Sequence, residues 1–186
     1  CVFWRDGKIM GDSTDGEGYV RGLQADLGVS AQGLHCVLVG AGGAAGAVAR
    51  SLADNGASSV AIVNRTVAKA EAVASLAGVA GRVGSMDDLA SADLVINATP
   101  IGMGSTDLTD AVPFDVSLLR SDAVVSDLIY HPVETLLLSH ARSRGLRSQN
   151  GLPMLVHQAA VAFEHWTGVA APVDVMTAAV SANLKK

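Results

Sequence analysis

A glycine-rich turn between a predicted strand and a predicted helix constrains the fold of this chain more than any other feature. The apolar run LHCVLV (34–39) is typical of a buried strand, and the alanine-rich segment 44–56 is typical of a helix. The turn fills the pattern G-x-G-x-x-G/A, in which glycines permit a tight turn and let the backbone approach a diphosphate. Its N–H groups lie at the positive end of the helix dipole, where an anion is stabilised. The residues of this predicted phosphate loop are Gly40, Gly42, Gly43, Ala44 and Ala45.

The rest of the chain alternates strands with helices, which is the pattern of a parallel sheet covered on both faces. The predicted strands are residues 34–39, 59–64, 92–98, 123–130 and 145–150. The predicted helices are residues 17–28, 44–56, 67–77, 132–144, 152–167 and 173–184, with Pro132 at the first position of the fourth. We therefore expect an α/β fold, a Rossmann-type doubly wound parallel sheet with helices on both faces. In such folds, functional residues lie in the loops beyond the carboxyl ends of the strands.

The loop after the second of these strands indicates which dinucleotide the chain binds. An NAD site usually has an acidic residue here, which binds the ribose 2′-hydroxyl. This chain instead has Asn64, Arg65 and Thr66, followed by Lys69 in the next helix. A guanidinium can bind a 2′-phosphate through two hydrogen bonds, and positive charge at a helix N-terminus is unfavourable without an anion. The sequence thus favours NADP as the cofactor; the alternative is that these cations are only the solvated start of a helix.

Length, charge and composition exclude several classes of protein. The 186 residues suffice for one domain, or for one domain and a small part of another. A net charge of −5 without a long basic run argues against nucleic-acid binding. The apolar runs are shorter than the ~20 residues of a membrane span, and the start of the chain lacks the pattern of a signal peptide. Two cysteines without metal-ligand spacing predict no metal site and fit a reducing cytoplasm.

The segment GDSTDGEG (11–18) places two carboxylates directly before a predicted helix. Asp and Ser at such positions usually cap the helix, because a side-chain oxygen accepts a hydrogen bond from a free N–H group of the first turn. Asp15 could instead take part in proton transfer, for which it would need a partner that tunes its carboxylate. Local sequence leaves both interpretations open.

Several motifs together resemble the shikimate dehydrogenase family. They are GDSTDGEG, GAGGAAGA, NRT, NATPIGM, DLIYHP and GLPMLVHQAAVAFEHWTG, and they follow the family's order from about Gly11 to the end of the chain. The glycine loop and NRT would suit several dinucleotide enzymes, whereas the last motif combined with GDSTD is far more specific. The resemblance implies reversible, NADP-dependent hydride transfer between NADPH and 3-dehydroshikimate, giving shikimate, in the biosynthesis of chorismate and aromatic amino acids.

The resemblance also implies roles for individual residues. Asp15 matches the family's catalytic aspartate, although Ser13 stands where the family usually has asparagine. Gln158 and Tyr130 match positions near the substrate; without the resemblance they would be a glutamine at the edge of an apolar helix face and a core aromatic at a strand end. No histidine is expected to be catalytic. Asn97, Thr99 and Met103 are expected to line the nicotinamide-ribose pocket, and Gly151 is expected to approach the nicotinamide amide through its backbone.

The family's substrate domain comes first in its chains and carries a catalytic lysine, and this domain is absent from the present sequence. We therefore expect residues 1–15 to be a remnant of the domain boundary and residues 16–186 to be the NADP-binding domain, with its C-terminal helices returning to the domain interface. On this interpretation the chain alone is inactive, because its small-molecule substrate is shared with the other domain. The alternatives are a quinate/shikimate dehydrogenase relative, a non-catalytic sensor domain of the same fold, and a glutamyl-tRNA-reductase-like NADP domain, which GDSTD and GLPMLVHQ disfavour.

Overall fold

The computed structural model describes residues 1–104 and 111–184, and all elements below lie within these ranges. The strands are β1 (Val2–Arg5), β2 (Lys8–Gly11), β3 (His35–Val39), β4 (Ser59–Val63), β5 (Gly81–Val83), β6 (Leu94–Asn97), β7 (Val124–Asp127) and β8 (Arg147–Gln149). The α-helices are α1 (Asp15–Leu27), α2 (Gly43–Asp54), α3 (Val67–Leu76), α4 (Leu136–Ser143), α5 (Leu152–Thr167) and α6 (Val173–Leu184). Within the described ranges, no helix is long and apolar enough to cross a membrane.

Strands β3 to β8 form one parallel sheet in the order β5-β4-β3-β6-β7-β8. The chain builds outward from β3 on one side and then returns to build outward from β6 on the other, which is the doubly wound Rossmann order. The predicted fold class is therefore confirmed. The strand order reverses between β3 and β6, whose ends at Val39 and Asn97 are paired in register. The loops after these two strands enclose the crevice in which such folds bind their ligands.

Apolar side chains cover both faces of the sheet. Successive residues of a strand point to opposite faces, and in the central strands consecutive residues are apolar. One core joins the sheet to α1, α2 and α3, and its strand residues include Leu38 and Ile62. The other core joins the opposite face to α4, and its strand residues include Val37 and Val95. Burial on both faces explains why the strands appear in the sequence as continuous apolar runs.

Helix α4 begins at Leu136, so the prediction of a helix that starts at Pro132 is wrong. The His131–Pro132 peptide bond is cis, and the chain stays non-helical as far as Thr135. Thr135 is the N-cap: its backbone is extended, and its Oγ1 accepts a hydrogen bond from the N–H of Leu138 (3.3 Å). The threonine hydroxyl, and not the proline, therefore determines where this helix starts.

The first eleven residues contain a β-hairpin that the sequence pattern did not predict, formed by β1 and β2. Asp6 and Gly7 occupy its turn with φ angles of 51° and 74°, the positive values that a two-residue hairpin turn of Asp-Gly type adopts. The hairpin contacts α5, because the ring of Phe3 stacks on His165 with centroids 4.6 Å apart. In addition, the indole Nε1 of Trp166 donates to a backbone carbonyl of β1 (2.9 Å). Residues 1–11 are thus attached to the last long helix of the fold.

Candidate active site

The glycine loop lies where the strand order reverses. Gly40 has a φ of 111°, in the region that favours glycine, and its N–H donates to the carbonyl of Val63 (2.8 Å). A Cβ at Gly40 would lie 2.7 Å from the carbonyl oxygen of Ala98, so the loops after β3 and β6 touch at this point. Ala45 is fully buried, as the close packing of helix on strand requires.

The start of α2 presents backbone to the crevice. Gly42 is the N-cap of α2, Gly43 and Ala44 begin its first turn, and no side chain caps the helix. A Cβ at Gly43 would meet no atom within 4 Å, and one at Gly42 would meet only the carbonyl oxygen of Ala98, at 3.6 Å. The first N–H groups of a helix have no carbonyl partner within the helix and carry partial positive charge. This turn can therefore hold a diphosphate, as a dinucleotide site must.

A pocket of about 220 Å³ connects the glycine loop to the start of α3. Thr66 is the N-cap of α3 without a capping side-chain bond, and Asn64 Nδ2 donates to its carbonyl (2.9 Å), which fixes the shape of the turn. Arg65 and Lys69 are exposed, and neither forms an ion pair with any residue that the structure describes. Both cations are therefore available to an anion. The predicted residues that line this pocket are Gly40, Gly42, Asn64, Arg65, Thr66, Lys69 and Thr99.

A buried asparagine holds the loop after β6. Asn97 is fully buried, and its Nδ2 donates to the carbonyl of Ile101 (3.2 Å) and to the carboxylate of Asp127 (2.9 Å). Its Oδ1 accepts hydrogen bonds from the N–H (3.0 Å) and the hydroxyl (2.7 Å) of Thr99. The side chain of Asn97 thus lies beneath the pocket and shapes the loop, whereas Thr99 lines the pocket itself.

Two residues of this network, Asp127 and Thr135, are absent from the set of site residues predicted from the sequence. Asp127 is fully buried at the end of β7, and its carboxylate accepts hydrogen bonds from Asn97, Thr135 and the N–H of Ile129. Burial raises the pKa of the Asp127 carboxyl, and the three hydrogen bonds oppose this rise. The sequence does carry a signal for this residue, since Asp127 is a carboxylate within the apolar segment AVVSDLIY, the predicted strand 123–130.

A smaller pocket of about 180 Å³ lies between the loops after β6 and β7. Met103 and Tyr130, whose exposed fractions are 38% and 45%, both line it. Gly151 lies behind this segment: its N–H donates to the carbonyl of Ile129 (2.9 Å), and a Cβ there would lie 2.6 Å from the carbonyl carbon of Leu128. Because only glycine permits this approach, the start of α5 packs directly on the backbone that carries Tyr130.

Asp15 is the first residue of α1, and Thr14 before it is the N-cap. Asp15 is half-buried, and its carboxylate accepts no hydrogen bond from residues 1–104 or 111–184. The structure therefore removes the N-cap interpretation of Asp15, although a carboxylate in the first turn still interacts favourably with the helix dipole.

Helices α1 and α5 cross in antiparallel directions, because Gly18 lies against Gln158 and Gly22 against Pro153. A Cβ at Gly18 would lie 2.6 Å from the Cα of Gln158, so the glycine brings the two backbones together about one turn from Asp15. The Nε2 of Gln158 donates to the carbonyl of Leu155 within its own helix (2.8 Å). Two residues that the sequence assigns to the substrate side are thus carried by one close-packed pair of helices.

The histidines make contacts with neighbouring side chains. His35 Nδ1 lies 3.1 Å from the hydroxyl of Ser59, and His131 lines the smaller pocket. Burial, followed by the nearby charge of Arg21, lowers the pKa of His157. That no histidine is catalytic remains a prediction.

Comparisons with known proteins agree with this fold. A family model described as Shikimate / quinate 5-dehydrogenase matches residues 24–103, and one described as Shikimate 5′-dehydrogenase C-terminal domain matches residues 151–180. The shikimate dehydrogenase (NADP(+)) of Alkaliphilus oremlandii is 42% identical, and the match covers 91% of this chain and 63% of that protein. The shikimate dehydrogenase (NADP(+)) of a Geobacillus species is 39% identical, and the match covers 97% of this chain and 67% of that protein. The crystal structure of a shikimate dehydrogenase in complex with NADP+ has a TM-score of 0.88 and 40% identity, covering 100% of this chain and 66% of that one. The chain thus spans about two thirds of the length of these proteins.

Proposed function

This chain belongs to the shikimate dehydrogenase family, and from that premise we propose that it is the cofactor-binding part of an NADP-dependent shikimate dehydrogenase. The proposed reaction is reversible hydride transfer between NADPH and 3-dehydroshikimate, which gives shikimate. The observation that carries the proposal is the pocket that joins the glycine loop to Arg65 and Lys69. Two cations that form no ion pair within the described residues, where an NAD site has a carboxylate, favour a ribose with a 2′-phosphate.

The two pockets would bind opposite ends of the cofactor. The N–H groups at the start of α2 would hold the diphosphate, while Arg65, Thr66 and Lys69 would hold the 2′-phosphate. The smaller pocket, with Met103 and Tyr130, would receive the nicotinamide end. NADPH supplies the hydride when it is bound, and the protein orients the cofactor against the substrate.

Asp15, Gln158 and Tyr130 would form this chain's part of the substrate site. Gln158 would bind a substrate hydroxyl and Tyr130 would lie near the substrate, as the family resemblance implies. Asp15 would form an ion pair with a lysine, which keeps that ammonium group at the oxygen that becomes an alkoxide. Proton transfer to the alkoxide completes reduction of the carbonyl.

The lysine of this pair would come from outside the sequence described here. The chain spans 63% and 67% of the length of two curated relatives, so about a third of those enzymes has no counterpart in it. We propose that this third is the substrate domain and that the complete enzyme is cytoplasmic. Residues 1–15 would form the boundary between the domains, and residues 16–186 would form the NADP domain. The chain alone would bind cofactor without catalysing turnover.

A second candidate is a quinate dehydrogenase of the same fold, because the family model that matches residues 24–103 covers quinate as well as shikimate. Quinate has a saturated ring with an additional hydroxyl, whereas shikimate has a ring double bond. Activity of the complete enzyme with each substrate under saturating NADP separates the two candidates.

Substitution of Arg65 tests the cofactor assignment. Arg65→Ala should weaken NADPH binding by about 10–150-fold, which corresponds to the roughly 1.5–3 kcal/mol of a charge-assisted hydrogen bond, and should leave NADH binding nearly unchanged. Both affinities can be measured by titration of nucleotide fluorescence. Arg50→Ala is the matched control, since Arg50 is an exposed arginine on α2 that pairs with Asp54. Equal weakening of NADPH and NADH by Arg65→Ala would contradict the proposal.

A further inference from the structure

A buried hydrogen-bond network connects the loops on both sides of the smaller pocket. Asp127 is paired in register with Asn97 across β6 and β7. Its Oδ1 accepts from Asn97 Nδ2 (2.9 Å) and from the N–H of Ile129 (3.1 Å), while its Oδ2 accepts from the hydroxyl of Thr135 (2.7 Å). One carboxylate thus holds three segments of chain: the loop after β6, the segment after β7 and the start of α4.

On one side, the network determines the shape of the loop that carries Thr99 and Met103. Asn97 holds this loop through Thr99 and Ile101, as described above. Thr135 supports it from below, since a Cβ at Gly102 would lie 3.4 Å from the Cβ of Thr135. A displacement of Asp127 or Thr135 would therefore shift this loop, which carries Thr99 in the wall of the larger pocket and Met103 in the wall of the smaller one.

On the other side, the network fixes the segment that carries Tyr130. The N–H of Ile129 donates to Asp127, and the carbonyl of the same residue accepts from the N–H of Gly151 (2.9 Å). Ile129 is therefore held from both directions, and Tyr130 follows it immediately. The regions after β6, after β7 and before α5 form one connected unit.

Packing alone does not account for a carboxylate at this position. Asp127 has 0% of its surface exposed and forms no ion pair with any described residue. Burial also raises its pKa, so the ionised side chain is disfavoured by its surroundings. Apolar side chains of similar size fill such sites without this cost.

We propose that Asp127 and Thr135 are positioning residues that hold the nicotinamide half of the cofactor site in its binding geometry. This inference rests on the function proposed above, because it assigns the smaller pocket to the nicotinamide end. Neither residue lines either pocket, so both act through the loops that they hold. Arg65, Thr66 and Lys69 follow β4 and lie outside the network, although Thr99, which the network holds, also lines their pocket. The 2′-phosphate end is therefore expected to respond less than the nicotinamide end.

The test compares two ligands that share only the phosphate-binding half. NADPH occupies both pockets, whereas adenosine 2′,5′-bisphosphate lacks the nicotinamide and would occupy only the region of Arg65. In the full chain, Thr135→Val removes the hydroxyl at nearly constant shape, and Thr135→Ser retains it. We expect Thr135→Val to weaken NADPH by roughly three- to tenfold, the effect of one lost hydrogen bond, with Thr135→Ser close to wild type. Both variants should change the affinity for adenosine 2′,5′-bisphosphate less than Thr135→Val changes the affinity for NADPH.

Asp127→Ala extends the test, because all three segments lose their common partner. It should weaken NADPH more than Thr135→Val does, again without loss of adenosine 2′,5′-bisphosphate binding. Equal weakening of both ligands, or NADPH affinity unchanged by Thr135→Val, would overturn the positioning role while leaving the proposed function intact. If the wild-type chain binds neither ligand, the proposed function is wrong and the positioning role fails with it.

Discussion

At the scale of single residues, the interaction of Asp15 with the helix dipole and its proposed role in proton transfer have different experimental signatures. Its place at the start of α1 allows its charge to interact with the helix dipole, a contribution of about 0.3–1 kcal/mol to stability. The proposed proton-transfer role instead requires a carboxylate that is free of internal partners, and within residues 1–104 and 111–184 nothing donates to it. Turnover and stability therefore report on different roles of the same side chain.

Asp15→Asn in the complete enzyme should slow turnover by about 10²–10⁴-fold, the usual effect of removing a proton-transfer group. NADP binding and the melting temperature should stay close to wild type, because the proposed cofactor contacts lie elsewhere. Steady-state kinetics, cofactor titration and thermal denaturation measure the three quantities. Glu17→Gln, which removes another carboxylate from the same helical turn, is the control and should retain turnover. An Asp15→Asn enzyme that keeps its rate and loses only stability would show that the carboxylate serves the helix.

Residues whose role follows from their place after a strand could be predicted from the sequence. Arg65 and Lys69 are examples, because a cation after the second strand has a chemical meaning without any tertiary contact. The sequence places Asp127 within a predicted strand, but the roles of Asp127 and Thr135 could not be predicted, since they depend on the register that places Asp127 beside Asn97. For Asn97 itself the sequence indicated the region but not the role, because the four hydrogen bonds of its amide become visible only in the folded loop.

At the scale of elements, the crossing of α1 and α5 sets the distance between Asp15 and Gln158. Gly18 and Gly22 lie on the face of α1 that contacts α5, and a Cβ at either one would collide with the backbone of the opposite helix. Glycine lowers helix propensity by about 1 kcal/mol relative to alanine, so its presence here indicates a packing requirement. Arg21 strengthens the same crossing through an ion pair with Glu164 (2.8 Å).

Gly18→Ala should therefore destabilise the fold although alanine is the better helix former. The added methyl would lie 2.6 Å from the Cα of Gln158, and such overpacking typically costs about 1–3 kcal/mol. Gly46→Ala in α2 is the matched control, because its methyl would meet only Leu76 Cδ1, the end of a flexible side chain. That variant should be neutral or more stable by about 0.4–1 kcal/mol. Urea denaturation of both variants gives the comparison, and a Gly18→Ala chain as stable as Gly46→Ala would contradict the packing argument.

Long, strongly patterned elements were predicted well, and short ones were not. Helices α5 and α6 have the predicted bounds: α5 lies between Gly151 and Gly168, and α6 begins directly after Pro172. The start of α4 was missed because Pro132 looks like a helix start in isolation, whereas Thr135 receives its capping role from local geometry. Strand β5 is three residues long and mostly exposed, so it carries no pattern that could identify it.

At the scale of the whole molecule, two cores share one sheet, and the hairpin lies outside both. The cores contain residues of β3, β4, β6 and β7, whereas β5 is a mostly exposed edge strand. Because both cores share these strands, we expect the chain to unfold cooperatively. In the hairpin, Trp4 and Ile9 are paired across the two strands, and 70% and 65% of their surfaces are exposed. Apolar side chains exposed side by side favour association.

The chain on its own should therefore unfold in one cooperative transition and self-associate as its concentration rises. Trp4→Lys should reduce self-association, because it places a charge on the exposed face of the hairpin while Phe3 keeps its contact with His165. Val79→Lys is the control: it places the same charge at a fully exposed apolar residue outside the hairpin and should leave the association unchanged. Sedimentation velocity over a concentration series measures the association, and thermal denaturation checks that both variants remain folded. Self-association that survives Trp4→Lys would show that the contact lies on another surface. A broad thermal transition with strong binding of a hydrophobic dye would show that the two cores do not suffice to fold the chain.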